Sequence, residues 1–149
     1  MHKLNLPSCR FRFQNREDKV EIFDSIRKKY VVLTPEEWVR QHFIQYLVNQ
    51  KGFPPSLIQL EKQLSYNQLD KRSDIVVYDR AANPLVMVEC KSFNITVTQD
   101  AFDQIARYNF SLRVKYLIVT NGMNHFCCKM NYDTLSYIFV EQIPMYKEL

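Results

Sequence analysis

Asp74, Glu89 and Lys91 are the residues whose types and spacing could do chemistry, because each sits at the end of an apolar run. The runs read Ser73-Asp74-Ile75-Val76-Val77-Tyr78 and, past a loop through Asn83-Pro84, Leu85-Val86-Met87-Val88-Glu89-Cys90-Lys91. Their β-branched content and the intervening turn residues predict two adjacent antiparallel strands. Both runs are apolar on both side-chain parities, which suits strands near the middle of a sheet covered on both faces. Successive side chains alternate faces, so Glu89 and Lys91 point one way and Cys90 the other. Pairing across the loop brings Asp74 beside them. Two carboxylates and an ammonium at one edge of a buried sheet form a candidate metal and phosphate site, since buried charges are costly unless paired or coordinated.

Other elements must position these groups. Thr34-Pro35-Glu36-Glu37 is a helix start, with Thr34 as N-cap, Pro35 in the first turn and Glu37 placed to close a capping box. The predicted helix runs to about Gln50 and stops near Gly52, with Val39, Phe43, Tyr46 and Leu47 inward and Ile44 and Val48 widening that side. Glu36 falls on the inward side by spacing and Glu37 does not, so Glu36 is expected to project toward the sheet as an extra acid. Its alternative is a first-turn acid that complements the helix dipole. Leu57 to Leu64, continuing to Tyr66, reads as a first core strand with Glu61 and Gln63 on one parity, and polar Asn67 to Arg72 as the connection into Asp74.

Beyond Lys91, Thr98 or Asp100 caps a predicted helix through about Leu112, on which Gln104 and Tyr108 are four apart and stack on one face. Val114 to Val119 is a strand closing on Thr120-Asn121-Gly122, and His125 to Met130 and Ser136 to Val140 are further strands, expected as a covering extension. Phe11-Arg12-Phe13 and Val20 to Asp24 flank a polar turn at Gln14 to Lys19, a hairpin pattern with Tyr30 to Leu33 as a third strand.

Asp74 before an apolar strand, followed by Glu89-x-Lys91 at the end of the next, resembles the core of the PD-(D/E)XK nucleases, with Ser73 where the name-giving Pro would stand. Glu36-x-x-x-Arg40 and Gln104-x-x-x-Tyr108, in this order, resemble the N-terminal nuclease domain of type I restriction enzyme motor subunits over about Thr34 to Gly122. The resemblance implies a mixed α/β, restriction-endonuclease-like fold: a central mixed sheet flanked by helices in the order αβββαβ, here behind an N-terminal β extension. One compact domain is expected, residues 1–33 forming the extension and 34–149 the nuclease-like part. The resemblance further implies Mg²⁺, with Mn²⁺ substituting, held by Asp74, Glu89, the Cys90 carbonyl and Glu36, and catalytic roles for Asp74, Glu89, Lys91, Gln104, Tyr108 and Glu36. DNA is the implied substrate, hydrolysed to a 5′-phosphate and a 3′-hydroxyl. Lys71, Arg72, Arg107, Arg113, Lys115 and Lys129 are candidate phosphate contacts, with solvated surface as their ordinary role. The alternative is a catalytically silent module that grips nucleic acid or a protein.

Composition bounds these readings. A length of 149 residues with 46% hydrophobic content suits one domain with a real core, and only 2 glycines and 6 prolines argue against a linker or disordered chain. The formal charge of +4 is compatible with nucleic acid without demanding it. Cys9, Cys90, Cys127 and Cys128 lack paired zinc spacing and read as reduced thiols, with neighbours Cys127 and Cys128 facing opposite sides of a strand. His125 has no second histidine nearby and reads as a satisfied polar group. No signal peptide, membrane-spanning apolar run or Walker motif is visible, so a cytoplasmic, stand-alone domain is expected. It would work with a separate motor or specificity protein, or as a homodimer.

Overall fold

The computed structural model describes residues 1–66 and 69–149, and the side chains of all of these except 61–66, 69–73 and 111. The chain opens with a three-stranded antiparallel sheet of β1 (Phe13–Arg16), β2 (Lys19–Asp24) and β3 (Lys29–Val32). The β1–β2 connection is the residue pair Glu17 and Asp18, with φ of 50° and 63°, the left-handed geometry that a two-residue hairpin turn requires. The hairpin and third strand expected here are present, with β1 running further into the turn than its apolar residues suggested.

Helix α1 (Pro35–Lys51) follows. The Thr34 hydroxyl accepts from the Glu37 N–H at 3.0 Å, Pro35 occupies the first turn, and Gly52 ends the helix in the left-handed region at φ 72°, the conformation glycine adopts without penalty. The Phe53 N–H closes the end by donating to the Leu47 carbonyl at 3.0 Å. Val39, Phe43, Ile44 and Leu47 are fully buried, while Tyr46 and Val48 are half-buried at the edge of the same stripe.

The second sheet has six strands in sequence order: β4 (Ile58–Tyr66), β5 (Leu69–Tyr78), β6 (Pro84–Cys90), β7 (Tyr116–Thr120), β8 (His125–Asn131) and β9 (Ser136–Val140). Neighbours pair antiparallel except β6 and β7, which run parallel, because the crossover between them contains α2 (Gln99–Asn109). Thr98 is the α2 N-cap, accepting from the Ala101 N–H at 3.1 Å. The helices cover opposite faces. Val39, Phe43 and Leu47 of α1 cluster with Ile75, Val77, Val86, Val88, Cys90 and Ile118, whereas Phe102, Ile105 and Ala106 of α2 cluster with Val76, Met87, Leu117, Val119 and Cys128. Both parities of β5 and β6 are thus buried, as their apolar runs predicted. Cys127 and Cys128 divide between the two faces, and burial raises each thiol to about 12.

Two expectations need correction. Residues Asn67 to Arg72 were expected as a connection; Asn67 and Gln68 lie outside the described residues, but β5 begins at Leu69 and pairs with β4 down to Tyr66↔Leu69. A hairpin is held by backbone bonds and can outrun the apolar stretch that made the strand legible. Strands β8 and β9 extend the sheet edge to edge and do not form a separate cover. Among the described residues, no helix is long and apolar enough to cross a membrane.

Residues preceding β1 fasten to α1 and to the loop after β7. Leu4 is buried, Asn5 N–H donates to the Gly122 carbonyl at 2.9 Å, and the Trp38 indole N–H donates to the His2 carbonyl at 2.7 Å. At Gly122, with φ +84°, a Cβ would sit 2.8 Å from Leu4 Cδ2 and 3.1 Å from Val39 Cγ2, whereas at Gly52 it would meet nothing within 4 Å. Gly122→Ala therefore combines backbone strain with overpacking and should cost about 2–3 kcal/mol, against about 1 kcal/mol for Gly52→Ala. Equilibrium unfolding of the two variants checks the order.

Candidate active site

The acidic site forms at Asp74 of β5 and the end of β6. Ile75 pairs with Val88, so one step further Asp74 comes across from Glu89. Asp74 Oδ2 accepts from the Cys90 N–H at 2.7 Å, which fixes the carboxylate against the end of β6. Lys91 Nζ lies 3.4 Å from Glu89 Oε1, with both side chains partly open to solvent at 35% and 15%. The Lys91 backbone is itself anchored, its N–H donating to the Thr120 carbonyl of β7 at 2.8 Å. Asp74, Glu89 and Lys91 are thus brought together, and Cys90 turns into the core beneath α1. Burial, with Asp74 next in weight, raises the Cys90 thiol well above its ordinary value, so its side chain is neutral and only its carbonyl could serve as a ligand.

From α1, Arg40 reaches into this site. Its Nη2 donates to Asp74 Oδ1 at 2.8 Å and its Nη1 to Glu37 Oε1 at 2.9 Å, while Glu36 Oε1 lies at 3.5 Å from Nη2. Burial works against the guanidinium charge, but Glu37 and Asp74 outweigh it and hold Arg40 protonated beyond its usual range. Glu37 continues the chain of charges: Arg27 Nη2 also donates to its Oε1 at 2.9 Å, and Arg27 Nε donates to Asp24 Oδ2 at 2.6 Å. Gln41 donates to both acids, at 3.0 Å to Asp24 and 3.1 Å to Glu37. Asp24, Arg27, Glu37, Arg40 and Asp74 therefore alternate in sign from the end of β2 to the site, with Asp24 completely buried.

This arrangement reverses the expected roles of the two helix acids. The Glu37 side chain is 8% exposed and that of Glu36 48%. The carboxylate of Glu37, read as a capping group, binds Arg27, Arg40 and Gln41, and only its N–H uses the Thr34 cap. Helical spacing from Val39 and Phe43 located one buried side of α1, but the three-stranded sheet buries a second side, on which Glu37 and Gln41 fall. Glu36 nevertheless borders the site: burial raises its carboxyl above the ordinary 4.5, Asp74 adds to the rise, and Arg40 and Lys91 oppose it.

The remaining candidates sit on other elements. Gln104, Arg107 and Tyr108 occupy the exposed side of α2, opposite buried Phe102, Ile105, Ala106 and Asn109. Arg113 stacks its guanidinium 4.7 Å from the centre of the Tyr132 ring, and Lys115 and Lys129 are exposed. The side chains of Glu61, Gln63, Lys71 and Arg72 lie outside the described residues. His125 is satisfied, with Thr120 Oγ1 at 2.7 Å and the Asn5 carbonyl at 2.8 Å from its two ring nitrogens. Sequence reasoning missed Asp24 and Arg27 as parts of the site; their signal was the three-residue spacing of opposite charges at the end of an apolar strand.

Among the described residues, no group of three or more His, Cys, Asp or Glu side chains is arranged to hold a metal ion by itself. A hydrated Mg²⁺ does not need three, because it keeps several waters and takes one or two carboxylates. Asp74 and Glu89 with the Cys90 carbonyl offer hard oxygen donors of that kind, and each Asp74 oxygen, holding one hydrogen bond, retains acceptor capacity. The donor set suits the ion, with Arg40 as the cation already present beside it. An open cleft of about 800 Å³ adjoins the site, lined on one side by Lys29, Tyr30 and Val32 and on the other by Glu36, Arg40 and Ser92.

The raised Glu36 carboxyl has a definite sign. Its pKa in the folded chain lies above the unfolded value, so folding favours its protonated form; the penalty is absent at low pH and fully present above the folded pKa. Glu36→Gln should raise the thermal midpoint slightly at pH 7, and the gain should vanish as pH falls below the ordinary 4.5. Paired melting curves across pH 3–8 (roughly the range of carboxyl titration) measure it.

No curated protein matches the chain. Among solved structures, the fold is similar to a fragment assigned as the HsdR subunit of a type I restriction enzyme from Vibrio vulnificus, with a TM-score of 0.54 at 21% identity over 78% of this chain. The chain corresponds to 24% of that longer chain. Residues 35–144, from α1 through β9, match the family described as the type I restriction enzyme R protein N terminus. That match takes in Asp74, Glu89 and Lys91 and covers well over half of the sequence: the chain belongs to the family of type I restriction enzyme R protein N-terminal domains.

Proposed function

We propose that the chain is a metal-dependent deoxyribonuclease of the PD-(D/E)XK type, hydrolysing phosphodiester bonds in DNA. The observation that carries the reading is the meeting of Asp74, Glu89 and Lys91 at the end of β6, in a chain whose family is part of a restriction enzyme. Asp74, Glu89 and the Cys90 carbonyl would hold Mg²⁺, or Mn²⁺ in its place; such an ion polarises a scissile phosphate and lowers the pKa of a bound water.

The chain's own groups supply the rest. The Cys90 N–H keeps Asp74 aimed, and the backbone bond from Lys91 to Thr120 fixes where the ammonium begins. Lys91 Nζ, beside Glu89, orients the attacking water or offsets charge developing on the phosphoryl oxygens. Glu36, at the open side with a raised pKa, would exchange a proton with solvent. Gln104, Arg107 and Tyr108 on the exposed side of α2 would contact the substrate backbone. The family description points to work alongside other components of a type I restriction enzyme, and a second copy of the chain is an alternative means of gripping DNA.

The engagement of Asp74 by Arg40 favours one second reading, a module that binds DNA without cutting. Cleavage of supercoiled and linear DNA with Mg²⁺ and Mn²⁺ decides between them. Wild type should cut, Glu89→Ala should not, and Lys91→Ala should lose at least about a hundredfold in rate, the scale of one transition-state contact, while binding DNA as wild type does in a gel-shift assay. Metal-independent cutting, equal in all three, would remove the site from the mechanism; binding with no cutting by any would select the silent module.

A further inference from the structure

The charges leading to Asp74 form a relay with a shared member. Arg27 Nη2 and Arg40 Nη1 both donate to the same oxygen, Glu37 Oε1, each at 2.9 Å, while the other end of Arg40 holds Asp74 Oδ1 at 2.8 Å. Arg40 therefore serves Glu37 and Asp74 at once, and Arg27 takes part of the capacity of Glu37. A guanidinium at Asp74 Oδ1 puts positive charge where a divalent ion would bind. Two such charges in contact with one carboxylate repel strongly even at the effective dielectric of a protein surface, so the ion and Arg40 cannot both keep their full contact with it. Arg40 has somewhere to go, since Glu37 already holds its other nitrogen and Glu36 Oε1 lies 3.5 Å away.

Resting on the reading of Asp74 and Glu89 as ligands of a divalent cation, we propose that Arg40 is a tethered counter-cation competing with that ion for Asp74, and that Arg27 sets the strength of the competition by sharing Glu37. Arg27 lies in the turn between β2 and β3, so the three-stranded sheet tunes the site. Each residue then has a signed effect. Removing Arg40 removes the competitor. Removing Arg27 frees Glu37 to draw Arg40 away from Asp74. Neutralising Glu37 leaves Arg40 more firmly on Asp74. A purely structural network gives no such pattern, because every disruption would weaken the site together.

Isothermal titration with Mn²⁺ alone, without nucleic acid, tests this on the full chain, with circular dichroism confirming the fold of each variant. Wild type should bind and Glu89→Gln should lose binding. Arg40→Gln should bind about tenfold more tightly and Arg27→Gln a few-fold more tightly, a deliberate discount on the full Coulomb term for solvent screening; Glu37→Gln should bind a few-fold more weakly. Wild-type binding that Glu89→Gln abolishes, but that Arg40→Gln leaves unchanged or weakens, overturns the proposal and leaves the nuclease reading intact. Absence of Mn²⁺ binding in wild type overturns both. Should Arg40→Gln fail to fold, opposite shifts in Arg27→Gln and Glu37→Gln support the competition, and any other pattern refutes it.

Discussion

The Asp74 carboxylate is the constraint on which the rest depends. One oxygen is pinned by a backbone N–H of β6 and the other by a guanidinium from α1, so a single side chain fastens the sheet to the helix at the point where both present charge. A carboxylate taken partly out of water needs such partners, and each has a structural requirement of its own. The N–H at Cys90 is available because β6 pairs with β5 only as far as Val88. The guanidinium is available because α1 crosses the sheet with Arg40 one turn from the helix start, buried and flanked by acids.

The buried ion network gives the three-stranded sheet a role beyond cover. Stability by itself does not explain such a network, because desolvating charges consumes most of what their attraction returns, while removing one partner is expensive. Its effect here is geometric: with Asp24 fixed by backbone N–H groups of Ile26 and Arg27, the position of Arg40 is set from outside the six-stranded sheet. The region matched by the family begins at α1, so Asp24 and Arg27 lie in a part of this chain that the family description does not cover.

How much was legible in the sequence follows from what each signal measures. The apolar runs at β5 and β6, the Thr34 cap and the Gly52 stop report local rules, and the elements formed where those rules placed them. The pairing of Glu89 with Lys91 follows from strand alternation, and the approach of Asp74 from simple antiparallel register. Glu37 was misread because helical spacing counts only one buried side, and a second sheet packing on α1 cannot be seen from the helix alone. The start of β5 was misplaced for a different reason: backbone pairing by itself leaves no apolar trace in the sequence. Gln104 and Tyr108 were visible as a stacked pair on α2, yet their spacing carried no information about which side of that helix the sheet would take.

The parallel pairing of β6 with β7 bears on when the site can exist at all. Glu89, Cys90 and Lys91 end one strand, and the neighbour that holds the Lys91 backbone arrives only after the chain has passed through the whole of α2. Closing so long a loop costs entropy before any contact repays it. The hairpin of β5 and β6 can bring Asp74 to Glu89 early, but the lysine acquires its anchor only once the crossover is complete. The lysine's backbone anchor therefore depends on a contact of much longer range than the hairpin that brings Asp74 to Glu89.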